Sequence, residues 1–270
     1  MRHCTLQDVR SNRRPYHWKL EGCTHLLLSV GGSIGNPGGA TPGLDARDAM
    51  GLASALANTT SLRSLRIPGL SGIFKIHEQP GIGPVGMRAL AHALPLGIET
   101  VEITGHNIGD EGAEALAKAA PRLGALRRIS LGWNDIRDAG ATALADALQA
   151  APIATLNLEY NWISGPGVAS LAAASARKGQ LRSLNLAGNN VGARGGAALA
   201  TALRSGSSLQ VLDLYQNSLG THGVKALLPG LTGSRLQRLN LAFNYIDADG
   251  GEWSKVQTTP EGQLELGLYG

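Results

Sequence analysis

A pattern of apolar residues recurs in this chain with a period of about 28 residues, most clearly in residues 181–208 and 209–235. Each copy has leucine at its first, fourth and sixth positions, asparagine at its ninth, and further leucines in its second half. A fixed period of this length is typical of repeat proteins, because one unit cannot bury its apolar face alone and stacked units bury a continuous core. The pattern therefore predicts a solenoid.

About eight such units can be followed through residues 25–250. In seven of them the first apolar position is occupied by Leu62, Ile98, Leu126, Ile153, Leu181, Leu209 and Leu236. The alternating apolar residues that follow predict a short strand, and leucines four residues apart, such as Leu199 and Leu203, predict a helix in the second half. We expect residues 1–24 to form a basic leader or cap, and residues 251–270 to form an irregular cap or a truncated unit.

One polar position follows the predicted strand in six units. It is occupied by His106, Asn134, Asn161, Asn189, Asn217 and Asn244. A turn repeated in register leaves inward backbone groups unpaired, and an amide can both donate to them and accept from them. We therefore expect a structural ladder, with His106 as a polar substitute rather than a ligand. Asp110 and Asp138 stand at predicted helix starts, where a carboxylate can accept hydrogen bonds from free backbone N–H groups.

Units of 27–28 residues that contain a full helix resemble the ribonuclease-inhibitor type of leucine-rich repeat, over about five sixths of the chain. That type also forms the repeat regions of NOD-like receptors and of the GTPase-activating protein for Ran. The resemblance implies an α/β leucine-rich-repeat solenoid, which is a right-handed horseshoe with a parallel sheet on its concave face and helices on its convex face. The cysteines that alternate with asparagine in ribonuclease inhibitor itself are missing here, which argues against close kinship with that protein.

Aromatic residues indicate where a partner would bind. Six of the chain's eleven aromatic residues lie within two residues of the ladder position, at one edge of the predicted sheet. They are Trp133, Tyr160, Tyr215, Phe243, Trp162 and Tyr245. Aromatic side chains provide a large contact area and dominate interface hot spots. We expect the first four to form a concave recognition surface, and the alternative is that some of the six pack into the loops between units.

Two neighbouring early units carry insertions, near residues 31–41 and 68–79. Insertions in repeat proteins map to loops on one face, which is often the binding face. These two loops either form a lid over that face or have no function.

The charge pattern gives little reason to expect a nucleic-acid partner. The formal net charge is +4, and residues 1–20 account for all of it with five basic residues and one acidic residue. The remaining 250 residues are therefore neutral as a whole, and the basic character belongs to the leader. Within the repeats, Arg66 precedes Glu102 at the equivalent strand position, which predicts lateral pairing across the sheet.

No catalytic, metal or cofactor site is indicated by the sequence. The seven histidines are scattered, no CxxC pair is present, and the glycine-rich loop after the first strand lacks the spacing of a phosphate-binding motif. We expect no enzymatic activity and no cofactor.

The cysteines and the hydropathy bear on the compartment. Cys4 and Cys23 could pair, but two free thiols in a reducing compartment are the expected state. No segment resembles a secretory or membrane-spanning stretch. We expect an intracellular protein that is cytoplasmic, with the nucleus as an alternative, and that has no membrane partner.

Two classes of function follow. The favoured one is a monomeric protein-interaction module or scaffold that binds a protein through its concave strands and the loops that ascend from them. The alternatives suggested by the resemblance are a regulator of a small GTPase, similar to the Ran GTPase-activating protein, or the sensor region of a NOD-like receptor.

Overall fold

Ten short parallel strands form one sheet in the part of the chain that the structure describes. The computed structural model describes residues 2–5, 20–28, 44–69, 81–178, 180–246 and 265–267. In the order of both the sequence and the sheet, the strands are β1 His3–Thr5, β2 His25–Leu27, β3 Ser64–Pro68, β4 Thr100–Thr104, β5 Arg128–Ser130, β6 Thr155–Asn157, β7 Ser183–Asn185, β8 Val211–Asp213, β9 Arg238–Asn240 and β10 Glu265–Gly267. Equivalent apolar residues of neighbouring strands are in register, as Leu184 is with Leu212.

One helix follows each strand from β2 to β8 in the described residues. These helices are α1 Ala46–Leu56, α2 Gly83–Ala93, α3 Gly109–Ala119, α4 Asp138–Ala150, α5 Gly165–Lys178, α6 Gly192–Arg204 and α7 Gly220–Leu227. Each helix packs against the next one in sequence, so sheet and helices form two layers that grow one unit at a time. The predicted α/β leucine-rich-repeat solenoid, with its sheet on the concave face and its helices on the convex face, is confirmed.

The core lies between these two layers. Three fully buried residues of one unit are Leu184 in β7, Leu186 directly after it and Leu199 in α6, and the equivalent residues of the other units are buried too. Burying one such side chain stabilises the fold by about 1.5–3 kcal/mol. Because the same residues recur in every unit, the sequence pattern was enough to predict this core.

Two predicted helix caps act on a different helix from the expected one. The Asp110 carboxylate in α3 accepts hydrogen bonds from the N–H groups of Arg137 (2.7 Å) and Gly140 (2.9 Å), which belong to the start of α4. Asp138 in α4 accepts from Ser164 (2.8 Å) and Gly167 (3.1 Å) at the start of α5. The prediction of capping within the same helix was wrong, because stacking in register brings each carboxylate against the next unit.

Glycine makes this capping between units possible. A Cβ atom on Gly140 would lie 2.6 Å from Oδ1 of Asp110, and one on Gly167 would lie 2.6 Å from Oδ1 of Asp138. Any side chain at these two positions would displace the carboxylate.

Cys4 and Cys23 form a disulfide with a Cα–Cα distance of 5.9 Å, so the expectation of two free thiols was wrong. Residues 3–5 form a strand that pairs with β2, and this pairing places Cys4 opposite Leu26, near Cys23. Both cysteines are buried at the first edge of the core. A three-residue strand without a repeat pattern around it gave no sequence signal.

Several predictions concern segments that the structure does not describe. The insertion near residues 31–41, residues 70–79 of the second insertion, and residues 251–264 and 268–270 lie outside the described residues. None of the described helices combines the length and the apolar character needed to cross a bilayer.

Candidate partner-binding surface

The residue just before the ladder position has a left-handed backbone conformation in six consecutive turns. With φ between 48° and 71°, these residues are Gly105, Trp133, Tyr160, Gly188, Gln216 and Phe243. Glycine adopts this conformation without a steric penalty, whereas a residue with a side chain costs about 1–2 kcal/mol. Three of the six positions nevertheless carry an aromatic side chain.

Trp133 and Tyr160 form a stacked pair. Their ring centroids lie 3.9 Å apart and their planes differ by 18°. The two residues hold equivalent positions in adjacent turns, so the repeat itself aligns the rings. An aromatic pair of this kind contributes about 0.5–1.5 kcal/mol beyond the area it buries.

The next turn has a glycine at the same position. A Cβ atom on Gly188 would lie 2.5 Å from Cδ1 of Tyr160, so the Tyr160 ring occupies the space that a side chain on residue 188 would need. Gly188 thus has two roles, because it adopts the left-handed turn without strain and leaves room for the ring of Tyr160.

Trp162 completes this group from the following loop. Its indole Nε1–H donates a hydrogen bond to Oδ1 of Asp135 (3.1 Å), and 63% of the residue remains exposed. The three aromatic residues border an open cleft of about 400 Å³. Its lining consists of Trp133, Asp135, Tyr160, Asn161, Trp162, Gly188, Asn189 and Asn190.

The other three predicted aromatic residues lie further along the sheet. Tyr215 contacts Phe243 with ring centroids 5.0 Å apart and planes inclined by 58°. Tyr245 is 80% exposed and makes no ring contact with the described residues. The structure thus brings five of the six residues into two clusters, with Trp133, Tyr160 and Trp162 in one and Tyr215 and Phe243 in the other.

Acidic side chains lie beside the first cluster. Oε2 of Glu159 accepts a hydrogen bond from the Asn185 amide (3.0 Å), and Oδ1 of Asp213 accepts from the backbone N–H of Tyr215 (2.9 Å). Burial raises the pKa of the Tyr160 phenol, and the neighbouring Tyr215, Glu159 and Asp213 raise it further. The electrostatic potential around the Tyr160 hydroxyl is therefore negative.

Sequence reasoning missed this acidic group and a second column of polar residues inside the strands. Asn157, Asn185, Asp213 and Asn240 each accept a hydrogen bond from the backbone N–H two residues later. The signal was present, because the residue between the two strand leucines is Asn or Asp in four consecutive units. A side chain that bonds to its own backbone in this way holds the end of the strand in shape.

The ladder residues are buried and bonded to the backbone of two units. Asn161 donates to the carbonyl oxygens of Leu131 (3.0 Å) and Leu158 (3.0 Å), and its Oδ1 accepts from the N–H groups of Asn134 (3.1 Å) and Ile136 (2.9 Å). Hydrogen bonds of the same kind are made by Asn134, Asn189, Asn217 and Asn244. These bonds fix the turns that present the aromatic residues.

His106 occupies the same position with fewer bonds. Its ring is buried, and neither ring nitrogen has a hydrogen-bond partner among the described residues. Burial lowers the pKa of His106 to about 4. The backbone carbonyl of Ile67 lies nearby, outside hydrogen-bond geometry, and offsets this lowering of the pKa only in part. Ile67 is the counterpart of Ile103, whose carbonyl accepts a 2.6 Å bond from Asn134.

Charge pairing across the strands occurs where it was predicted between Arg66 and Glu102, with Nε and Oε2 3.4 Å apart. Both side chains are partly exposed, so the pair contributes at most about 1 kcal/mol.

In the described ranges no three His, Cys, Asp or Glu side chains are arranged to hold a metal ion.

Comparison with known proteins agrees with this repeat structure. A family model described as "Leucine Rich repeat" matches residues 98–117, 126–145, 153–172 and 181–200. The match identifies the repeat type and leaves the ribonuclease-inhibitor subclass as a prediction. A search of curated proteins returned no significant match.

The solved structures that are similar to part of the chain include a tropomodulin domain and a leiomodin-1 site. The tropomodulin C-terminal domain from Caenorhabditis elegans has 17% identity and a TM-score of 0.43, and the alignment covers 54% of this chain and 92% of that one. The second actin-binding site of leiomodin-1 has 22% identity and a TM-score of 0.38, with 45% of this chain and 73% of that one covered.

Proposed function

The chain is a leucine-rich-repeat protein, and from that premise we propose that it is a non-enzymatic module that binds a protein partner through the aromatic side of its concave face. The surface consists of Trp133, Tyr160, Trp162, Tyr215 and Phe243, with Tyr245 at its end. We propose that the module acts as a monomer and that its partner is a protein rather than a nucleic acid.

One observation supports this proposal above the others. Trp133, Tyr160 and Phe243 occupy left-handed turns that Gly105 and Gly188 occupy without steric cost. Three bulky residues there destabilise the fold by about 3–6 kcal/mol in total, at 1–2 kcal/mol each. Ring contacts return only part of this free energy, because an aromatic pair contributes about 0.5–1.5 kcal/mol and Phe243 remains exposed. The left-handed turn recurs along the repeats, but the fold does not require bulky side chains in it, and strain retained in this way is typical of a functional surface.

The experiment compares the wild type with a variant in which Trp133, Tyr160, Tyr215 and Phe243 are all changed to Ala. Both are used for affinity capture from a lysate of the source cells, captured proteins are identified by mass spectrometry, and the dissociation constant of a purified partner is then measured by calorimetry. Loss of such large contacts should weaken binding at least about 100-fold.

A control variant keeps the aromatic surface and removes other exposed apolar groups. Met50 and Val85 lie on α1 and α2, and Leu96 lies in the loop after α2. All three are exposed, and changing them to smaller residues should leave partner binding unchanged. The proposal is wrong if the four-Ala variant folds, as judged by circular dichroism, and binds the partner as tightly as the wild type.

The same experiment distinguishes the proposed scaffold from the alternative function, a regulator of a small GTPase. If the captured partner is a small GTPase, its rate of GTP hydrolysis is measured with and without this chain. An accelerated rate would replace the scaffold role with a regulatory one.

A further inference from the structure

The cleft beside the first aromatic cluster has a charged group at its rim. The rings of Trp133 and Tyr160 form one wall, and Trp162 stands on the adjacent loop. Asp135 follows Trp133 by two residues in the same loop, and its Oδ1 accepts the hydrogen bond from the Trp162 indole of the next loop. Its other oxygen, Oδ2, makes no hydrogen bond with the described residues.

The electrostatics of this cleft favour a cation. No lysine, arginine or histidine is among its lining residues, and Asp135 is the one carboxylate there. Glu159 and Asp213 add negative charge close to the Tyr160 hydroxyl. The exposed indole of Trp162 also presents a negative π face that attracts cations, so this ring and the carboxylates act in the same direction.

We propose that the cleft formed by Trp133, Asp135, Tyr160 and Trp162 binds an arginine side chain of the partner protein. This proposal rests on the proposed function, because it specifies the chemistry that the aromatic surface recognises. A guanidinium group stacks flat on an aromatic ring while its N–H groups donate to a carboxylate, here to Oδ2 of Asp135. An ammonium group is more strongly hydrated and has no flat face to stack, so lysine is the poorer ligand.

The turns hold this site ready before binding. Trp133, Asp135 and Tyr160 all have left-handed backbone conformations, which the neighbouring ladder residues Asn134 and Asn161 fix through their hydrogen bonds. The Trp162 indole is oriented by its bond to Asp135. A ligand therefore loses little affinity to ordering of the protein.

The test uses three short probe peptides, acetyl-Gly-Xaa-Gly-amide, in which Xaa is arginine, lysine or citrulline. Citrulline has nearly the shape of arginine and no charge. Binding is followed by NMR through the indole N–H signals of Trp133 and Trp162, assigned with single Trp→Phe variants. We expect saturable shifts with arginine at millimolar concentrations and at least about tenfold weaker binding of citrulline.

Two matched variants separate the site from the general surface charge. Asp135→Asn should weaken arginine binding at least fivefold and leave citrulline binding unchanged, while the Trp signals remain dispersed as in the folded wild type. Asp146→Asn removes the same charge from an exposed position on α4 and should change neither.

Three results would each overturn the arginine site: no shift at either tryptophan, equal binding of arginine and citrulline, or tighter binding of lysine than of arginine. None of them would affect the broader function, because capture of a partner that depends on the four aromatic residues is measured separately. Conversely, the arginine peptide could bind although no captured partner depends on the four aromatic residues. That result would support the arginine site and contradict the proposed protein-binding module.

Discussion

The ring of Tyr160 lies directly over Gly188. A Cβ atom on residue 188 would lie only 2.5 Å from Cδ1 of this ring. This contact joins the strained turn of one unit to the turn of the next. It also holds Tyr160 in place for stacking on Trp133.

Changing Gly188 to Ala should displace Tyr160 and disturb its stack with Trp133. The left-handed backbone alone costs about 1–2 kcal/mol of unfolding free energy. The ring displacement should appear separately, as a change in near-ultraviolet circular dichroism and in tryptophan fluorescence. Gly192→Ala is the matched control, because Gly192 also has positive φ (58°) and a Cβ atom there would have nothing within 4 Å. If both variants changed the aromatic spectra equally, the contact would not be what positions Tyr160.

Changing Asn161 to Ala should destabilise the protein strongly. The change removes buried hydrogen bonds to two units, and each buried group left unpaired costs about 1–3 kcal/mol. Urea unfolding should show a loss of several kcal/mol, whereas Asn190→Ala, at an exposed position, should change little. A loss below about 1 kcal/mol at Asn161 would contradict a structural ladder.

Acid should destabilise the protein through His106. The ring takes up a proton near its ordinary pKa of 6.5 in the unfolded chain but only near pH 4 in the folded one. Between these values the unfolded state binds more protons, so stability is complete above about pH 6.5 and falls as the pH drops towards 4, by about 3 kcal/mol from this group. Urea unfolding at several pH values measures this slope.

His106→Asn should remove the part of the pH dependence of stability that comes from this ring. An amide at this position can donate to the Ile67 carbonyl, as Asn134 does to Ile103, and should raise stability at neutral pH by about 0.5–1.5 kcal/mol. An unchanged slope between pH 6.5 and 4 would mean that His106 is not the group responsible.

Changing Asp138 to Ala should weaken the start of α5 rather than the start of its own helix. The carboxylate caps the N–H groups of Ser164 and Gly167, and loss of such a cap costs about 0.5–2 kcal/mol. Amide hydrogen exchange should accelerate at these two residues, while Asp146→Ala on the exposed side of α4 should leave them protected. Faster exchange confined to the first turn of α4 would instead support capping within one helix.

The disulfide predicts the thiol content of the protein. Without reductant, Ellman's reagent should detect no free thiol, because Cys4 and Cys23 are joined. Changing both to Ser should lower stability by about 3 kcal/mol, since the bond closes a loop of nearly 20 residues. Two reactive thiols in protein isolated from its source cells would instead agree with the reducing, intracellular location expected from the sequence.

The sequence alone determined the repeat unit, its strand and helix halves, and the residues of the core and the ladder. It could do so because each of these follows from residues a few positions apart, and the same spacing recurs from unit to unit. The aromatic positions Trp133, Tyr160 and Phe243 were predicted for the same reason.

Only the tertiary structure decided what depends on contact between units. Asp138 caps the next helix, Tyr160 lies over Gly188, and Cys4 reaches Cys23 because chain segments roughly 20 to 30 residues apart are stacked in register. The charged rim of the cleft has the same origin, since Asp135 meets Trp162 across two loops. A periodic pattern specifies which residues face inward, but the distance between two side chains of different units depends on the packing of the whole stack.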